Sequence, residues 1–434
     1  MEFREVYWVK AKTKTTYDMN RIILVGNGFD LAHNLRTSYK NFIEWYWDDW
    51  LLKLRKCYDN IMSDQLCSFT IKNRPGTWQS FFFHNPDFFK SSKGYDVVCE
   101  MMKDDLFEVV MCPFLNTICI SIECKNWVDI ENEYYQCLLK SDERTTKELN
   151  KSFEYIKQKL VEYLRTIKYP NIINEIHALI QTPIRKSDVS ISGLNYWNDF
   201  VDVRCNYGEE EWNELFSDYE IKTIANPGNL YKDMIDRWGL PKKSHYDLSE
   251  ISKMNESELL PHTLIPDRTL LLNFNYTTVA DQYLPNAERF STIHIHGELS
   301  DPNSIIFGYG DEKDKDYGNI IDKNDNEYLR YMKQPHYSES DNYRRMLAFV
   351  ESAPYQVCVM GHSCGNSDRT LLNTLFEHPN CVSIKPFYYV NKESGKDNYL
   401  DIVQNISRNF TDAKKMRDRV VNKMYCQPLP QISE

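Results

Sequence analysis

Gly26-Asn27-Gly28-Phe29-Asp30 follows the apolar run Ile22-Ile23-Leu24-Val25 and precedes a helical stretch. At a strand-to-helix joint, backbone N–H groups and the helix dipole favour a bound phosphate, and glycine lets a ligand come close to the main chain. Leu31 takes the place of the third glycine of a dinucleotide fingerprint, so this is not the ordinary dehydrogenase pattern. A tight turn without a ligand is the competing reading. Asn273-Phe274-Asn275-Tyr276-Thr277 ends a second apolar strand and places Asn275 at the carboxyl edge, where open α/β sheets bind ligands. A capping asparagine would look the same.

His294-Ile295-His296-Gly297 ends a third strand. Alternation predicts both histidines on one face, about 7 Å apart, with His296 at the edge as a candidate base. A structural histidine and an H-x-H metal pair compete with that reading. No neighbouring His, Asp or Glu cluster completes a coordination set, so no metal is expected. Gly361-His362-Ser363-Cys364-Gly365 has the G-x-S-x-G form of a serine nucleophile elbow. The only later histidine, His378, lies at the far end of the same predicted helix, about 15 Å or more away at 1.5 Å per residue. That spacing makes no triad, and the segment reads as a further turn approaching phosphate or ribose. Asp129, Glu131, Glu133 and Tyr135 read as an exposed helix face rather than a catalytic carboxylate pair.

These segments need elements to hold them. Strands are predicted over Thr269 to Phe274, Thr292 to His296, Ser304 to Phe307, Gln356 to Met360 and Ser383 to Val390. Helical spacing appears near Thr278 to Tyr283, Asn342 to Ser352 and Arg369 to Glu377, and one helix after the glycine turn would run through Tyr39, Phe42 and Tyr46. Strands alternating with helices predict an α/β fold with a doubly wound, mostly parallel, Rossmann-like sheet. Residues 20–50 and 266–434 would share that sheet, with 51–265 a large, mostly helical insertion including Lys147 to Arg165 and Asn171 to Ile180. Residues 1–19 read as an N-terminal extension, with Met19 the expected natural start, and Asp311 to Asn326 reads as a mobile loop.

With 42% hydrophobic and 14% aromatic residues over 434 positions, a sizeable core is expected. A formal charge of -11 would repel a phosphate backbone, so no nucleic-acid partner is expected. No stretch approaches the ~20 apolar residues of a bilayer span, and the expected location is the cytoplasm. Twelve cysteines without a C-x-x-C pair read as buried thiols.

Taken together, ILVGNGFDLAHNLRTSYKNF from Ile23, NWVDIE from Asn126, LNFNYTT from Leu272, IHIHGEL from Ile293, FGYGD from Phe307 and MGHSCGNSD from Met360 resemble the AbiH abortive-infection family of antiphage proteins. The resemblance spans nearly the whole chain in the family's order; after residue 50 it rests mainly on length and helical character. The family is in turn distantly similar to the sirtuin-like NAD-binding fold. In sirtuin-like NAD hydrolases of phage defence, a strand-end Asn-Tyr-Asp and a later His-Gly line the nicotinamide ribose. Asn275 and Tyr276 match the first two of those positions and His296-Gly297 the later pair, while Thr277 stands in place of the aspartate. The sirtuin zinc cysteines are absent, so deacetylation is not expected.

The resemblance implies an abortive-infection effector that takes NAD as substrate and cleaves its nicotinamide–ribose bond. Asn275 and His296 would be catalytic. Gly26, Asn27, Gly28, Phe29 and Asp30 would hold the diphosphate, Tyr276 and Gly297 the ribose, and Gly361, Ser363 and Asp368 the adenosine half. A phage-derived trigger and assembly into a homo-oligomer are the implied partners. A nucleotide sensor without chemistry and a serine hydrolase at Ser363 stay open as alternatives.

Overall fold

The computed structural model describes residues 19–72, 76–86, 94–125, 128–194, 196–197 and 263–432. The expected N-terminal extension, apart from Met19, lies outside these residues, as do Asn126 and Trp127. In chain order the strands are β1 (Asn20–Val25), β2 (Ile61–Ser63), β3 (Cys67–Ile71), β4 (Phe107–Met111), β5 (Ile184–Arg185), β6 (Thr263–Leu264), β7 (Thr269–Asn273), β8 (Phe290–His294), β9 (Tyr355–Met360) and β10 (Cys381–Phe387).

Five of them form one sheet in the order β10-β9-β1-β7-β8, every pairing parallel. The chain moves outward from β1 through β7 to β8, then returns to the other side of β1 for β9 and β10. The direction of winding therefore reverses between β1 and β9, and a crevice opens at such a reversal at the carboxyl ends of the strands.

β1 and β9 are buried along their whole length because both sheet faces are covered. One face sets Ile22, Leu24, Leu270 and Val357 against the helices Asn342–Ser352, Arg369–Glu377 and Tyr399–Arg408. The other sets Ile23, Val25, Leu271 and Met360 against Phe29 and against Ile176 and Ile180 of the helix Asn174–Ile180. That helix belongs to the stretch expected as an insertion, yet its apolar side lies on the parallel sheet.

A second core gathers Phe42, Trp47, Phe69, Trp78, Tyr134 and Phe153 from the middle of the chain. It is not purely helical: β2, β3 and β4 form an antiparallel sheet, with β3 alternating between buried and half-buried residues. The segment after β8 joins this core, where Phe307 stacks on Phe153 at 4.5 Å between centroids and Tyr309 on Tyr135 at 4.0 Å.

Three local expectations fail for local reasons. Ser304 to Phe307 is not a strand: Asp301 accepts from the Asn303 N–H and Pro302 opens a 3-10 turn, Pro302–Ser304, that breaks the extended run. The helix after the glycine turn is two helices, Asn27–Ala32 and Tyr39–Leu54. Asn34 takes a left-handed φ of 59°, and Ser38 caps the second helix through the Asn41 N–H. Asp311 to Asn326 is not an open loop: Asp311 is buried on Arg369 at 3.2 Å, and Tyr317–Asp322 is helical.

Candidate functional site

All the motif-bearing segments meet at the carboxyl edge of the parallel sheet. The glycine turn after β1 and the Gly361 turn after β9 interlock, with the Gly28 N–H donating to the Gly361 carbonyl at 2.8 Å. Beside this joint, at the winding reversal, lies a cleft of about 430 Å³ whose walls include Gly28, Leu31, Gly361, His362, Ser363 and Phe387. The Gly28 N–H is thus already committed to protein. Phe29 and Asp30, expected on a bound diphosphate, turn inward instead, Phe29 into the sheet core and Asp30 onto the end of β7. Asn27 accepts from the Thr37 hydroxyl at 2.5 Å.

Asn275 ties the β7 terminus to the glycine turn, its side-chain amide donating to the Gly26 carbonyl and to Asp30 Oδ1, both at 3.1 Å. Thr277 donates to Asp30 Oδ2 at 2.6 Å. Thr277 is the residue standing where the resemblance would place an aspartate, and the carboxyl it holds comes from Asp30 in another segment. Burial pushes the Asp30 carboxyl up to about 7, against the two hydrogen bonds that lower it.

Since Asp30 keeps its proton in the fold to about 7 and loses it in the unfolded chain near 3.8, the native state binds more protons between those values. Stability must therefore fall as pH rises through that window. The full penalty, reached above pH 7, is on the order of 4 kcal/mol for a group this deeply buried. Asp30→Asn should flatten that part of the stability profile in urea titrations at pH 4 to 8. An unchanged slope would show that Asp30 ionises in the fold as it does in the open chain.

The other side of the edge is a buried charge cluster. Lys333, 1% exposed, sets Nζ 2.7 Å from Asp368 Oδ1 and 3.3 Å from Glu131 Oε1. His296 Nε2 lies 3.4 Å from Asp368 Oδ1 and 3.2 Å from the Tyr337 hydroxyl, and His362 Nε2 is 3.5 Å from Asp368 Oδ2. His362 Nδ1 accepts from the Cys364 N–H at 2.9 Å, which leaves the neutral ring's proton on Nε2, toward Asp368.

Burial by itself would raise the Asp368 carboxyl, but the Lys333 ammonium holds it well below the usual carboxylate range. The same burial would lower Lys333, and Asp368 and Glu131 outweigh it and raise it. Glu131 goes up, because burial outweighs its attraction to Lys333. Burial, reinforced by Lys333, drives His296 down to about 3, so the ring is neutral at physiological pH. Tyr276 sits beside this cluster, with its hydroxyl donating to the Ile306 carbonyl at 3.3 Å.

Several expectations are corrected here. Glu131 is not on an exposed face: Asp129 caps the helix Ile130–Leu139 through the Asn132 N–H, and this turns Glu131 inward to Lys333 and the Gly308 N–H. Asp368, expected with Gly361 and Ser363 near the adenosine half, is buried between His296 and His362. The two histidines of the H-x-H segment part company because β8 ends at His294, and His294 pairs with Asp281 at 2.9 Å. Gly297, at φ 78°, turns the chain where an added Cβ would stand 2.2 Å from the Ser304 carbonyl.

Ser363 is on the cleft wall, but its turn carries the left-handed φ at Cys364, and His378 is engaged by Glu351 at 3.2 Å. Neither Lys333 nor Tyr337 was singled out from the sequence, since the short helix Lys333–His336 has no motif around it. The sequence carries no clear signal for either: Lys333 lies two residues before Pro335 and far downstream of the Phe307–Asp311 segment.

Among the described residues no helix is long and apolar enough to cross a membrane. Comparison with curated proteins and with solved structures returns no match. The model of the family described as bacteriophage abortive infection AbiH matches residues 22–390, which takes in the glycine turns, the histidine segment and the buried charge cluster, and the chain belongs to that family.

Proposed function

We propose that this AbiH protein carries out its abortive-infection role by hydrolysing NAD at the carboxyl edge of the parallel sheet. The observation that carries the reading is the cleft at the winding reversal, walled by the interlocked glycine turns and with His362, Asp368 and His296 in succession behind it. A doubly wound, Rossmann-like and sirtuin-like sheet, built from 20–50 and 266–434 around the 51–265 insertion, takes a dinucleotide at this crevice. The adenosine half lies by Gly361, Ser363 and the apolar wall of Phe387, and the nicotinamide ribose points to His362 and Asp368.

In the reaction the ribose C1′–N bond breaks and its electron pair neutralises the pyridinium nitrogen. Positive charge develops on the ribose, and the ionised Asp368 is the anion placed to stabilise it. A water oxygen bonds to C1′, and its proton passes to the neutral His296. Nicotinamide, ADP-ribose and one proton leave. Asn275 acts by fixing the glycine turn against β7. The protein works in the cytoplasm, as a homo-oligomer released by a phage-derived trigger.

One observation favours a second reading. His296 is 3% exposed and its resting basicity is low, as in a sensor that binds nucleotide without turning it over. Incubating wild type, His296→Ala, Asn275→Ala and Ser363→Ala with NAD, with and without phage lysate, separates the readings when nicotinamide and ADP-ribose are quantified. Hydrolysis by wild type that falls below about a tenth in the first two variants supports the proposal. NAD binding without product in any sample establishes the sensor, and esterase activity lost only in Ser363→Ala establishes a serine hydrolase.

A further inference from the structure

Beyond Phe387 the switch-point cleft is completed by Tyr389, Asn398, Ile402, Leu429 and Gln431. Main-chain hydrogen bonds hold this part in place: the Leu429 N–H donates to the Tyr388 carbonyl at 2.9 Å, and the Ile432 N–H to the Ala32 carbonyl at 3.0 Å. The chain from Leu429 to Ile432 thus ties the end of β10 to the helix that follows the glycine turn.

Among the described residues, no Lys, Arg, Asp or Glu stands on the walls of this cleft. The N–H groups of the interlocked turns are no substitute for a cation. Those of Gly28, Phe29 and Cys364 are committed to the Gly361 carbonyl, the Gly26 carbonyl and His362 Nδ1, at 2.8, 2.8 and 2.9 Å. A phosphate drawn from water into such surroundings gives up hydration with no cation or row of free N–H groups to replace it. Nor does a chain of formal charge -11 attract an anion from a distance.

Neutral polar atoms are present instead, and their polarity is fixed. Asn398 Oδ1 accepts from the Tyr389 N–H at 2.7 Å, so its amide NH₂ is left to donate. Gln431 donates to the Val390 carbonyl at 3.4 Å, so its side-chain oxygen is left to accept. Both remaining atoms stay open to solvent. One donor and one acceptor beside the rings of Phe387 and Tyr389 suit a heteroaromatic base and its sugar.

We infer that the cleft binds an uncharged nucleoside and gives no hold to phosphate. Resting on the NAD reading above, the adenosine half is seated against Phe387 and Tyr389, with Asn398 and Gln431 as its specificity residues, and the diphosphate lies in water at the mouth.

Calorimetric titrations with adenosine, AMP, ADP-ribose and pyrophosphate test this on wild type and on Asn398→Asp, which keeps the acceptor for the Tyr389 N–H and removes the free donor. Wild type should bind adenosine saturably, with AMP and ADP-ribose no more than about 5-fold tighter and little change between about 50 and 500 mM salt. Pyrophosphate should leave adenosine in place. Asn398→Asp should melt near wild type and weaken adenosine at least about 5-fold. No saturable adenosine binding, a larger gain from the phosphates, displacement by pyrophosphate, or a folded Asn398→Asp that binds adenosine as wild type does would each overturn the inference. The wild-type series decides by itself should the variant melt early. A protein that binds adenosine in this way and leaves NAD intact refutes the hydrolase reading alone. One that hydrolyses NAD while its phosphates drive binding refutes this inference alone.

Discussion

Lys333→Met is expected to cost the fold about 3–5 kcal/mol, read as a lower urea midpoint at pH 7.5. The substitution keeps most of the side-chain volume, so lost packing contributes little. What it removes is the ammonium 2.7 Å from Asp368 and 3.3 Å from Glu131, leaving two nearly solvent-free carboxyls with no cation between them. The pH dependence reports the mechanism.

In the wild type, Asp368 is held below its unfolded value, so its contribution is present above about pH 4 and is lost as the solution is acidified through the folded value. In the variant, burial with no opposing charge would raise both carboxyls. Stability would then fall as pH rises, and the gap to wild type would narrow toward pH 5. His296, relieved of the Lys333 charge, should titrate above the wild-type value of about 3, visible in its ring resonances. A gap that stays constant from pH 5 to 8 would place the loss in packing instead.

Gly361→Ala is expected to destabilise by at least about 3 kcal/mol and to open the switch-point cleft. Gly361 has a φ of 78°, which a residue with a Cβ adopts at a cost, and that Cβ would stand 2.0 Å from the Phe29 nitrogen and 2.5 Å from the Gly28 carbonyl carbon. Both are main-chain atoms, so no side-chain rotation relieves the contact. The β1 turn must move off the β9 turn, breaking the Gly28-to-Gly361 hydrogen bond. Gly318→Ala is the control. Its added methyl meets nothing within 4 Å, and it sits in the helix Tyr317–Asp322, where alanine is favoured by about 0.5–1 kcal/mol. Equal melting temperatures for the two variants would disprove the close approach of the turns.

Much of the candidate site was legible as separate pieces. Apolar runs ending in Gly26, Asn275 and Gly361 announced strand ends at one edge, because a strand buried on both faces must be continuously apolar and its polar residues are pushed to its terminus. The boundaries of Asn342–Ser352 and Arg369–Glu377 follow directly from helical spacing. Glu131 was misjudged because a carboxylate between Ile130 and Asn132 looks like a solvated face in any one-dimensional pattern. Only a cation from 202 residues further along the chain, Lys333, makes its burial tolerable.

Local composition alone determined that this chain builds a parallel α/β sheet, ends its strands with glycine, asparagine and histidine, and carries the segments of the AbiH family. Those properties are set by neighbours a few residues apart, through apolar periodicity and turn chemistry. Tertiary structure decided which ionisable groups share the interior: that Asp30 serves β7 through Thr277, that Asp368 joins His296 and His362, and that Lys333 neutralises Asp368. The reason is electrostatic. A buried ionisable group is governed by whichever opposite charge packs within a few ångströms, and that neighbour is chosen by the packing of distant segments rather than by sequence proximity.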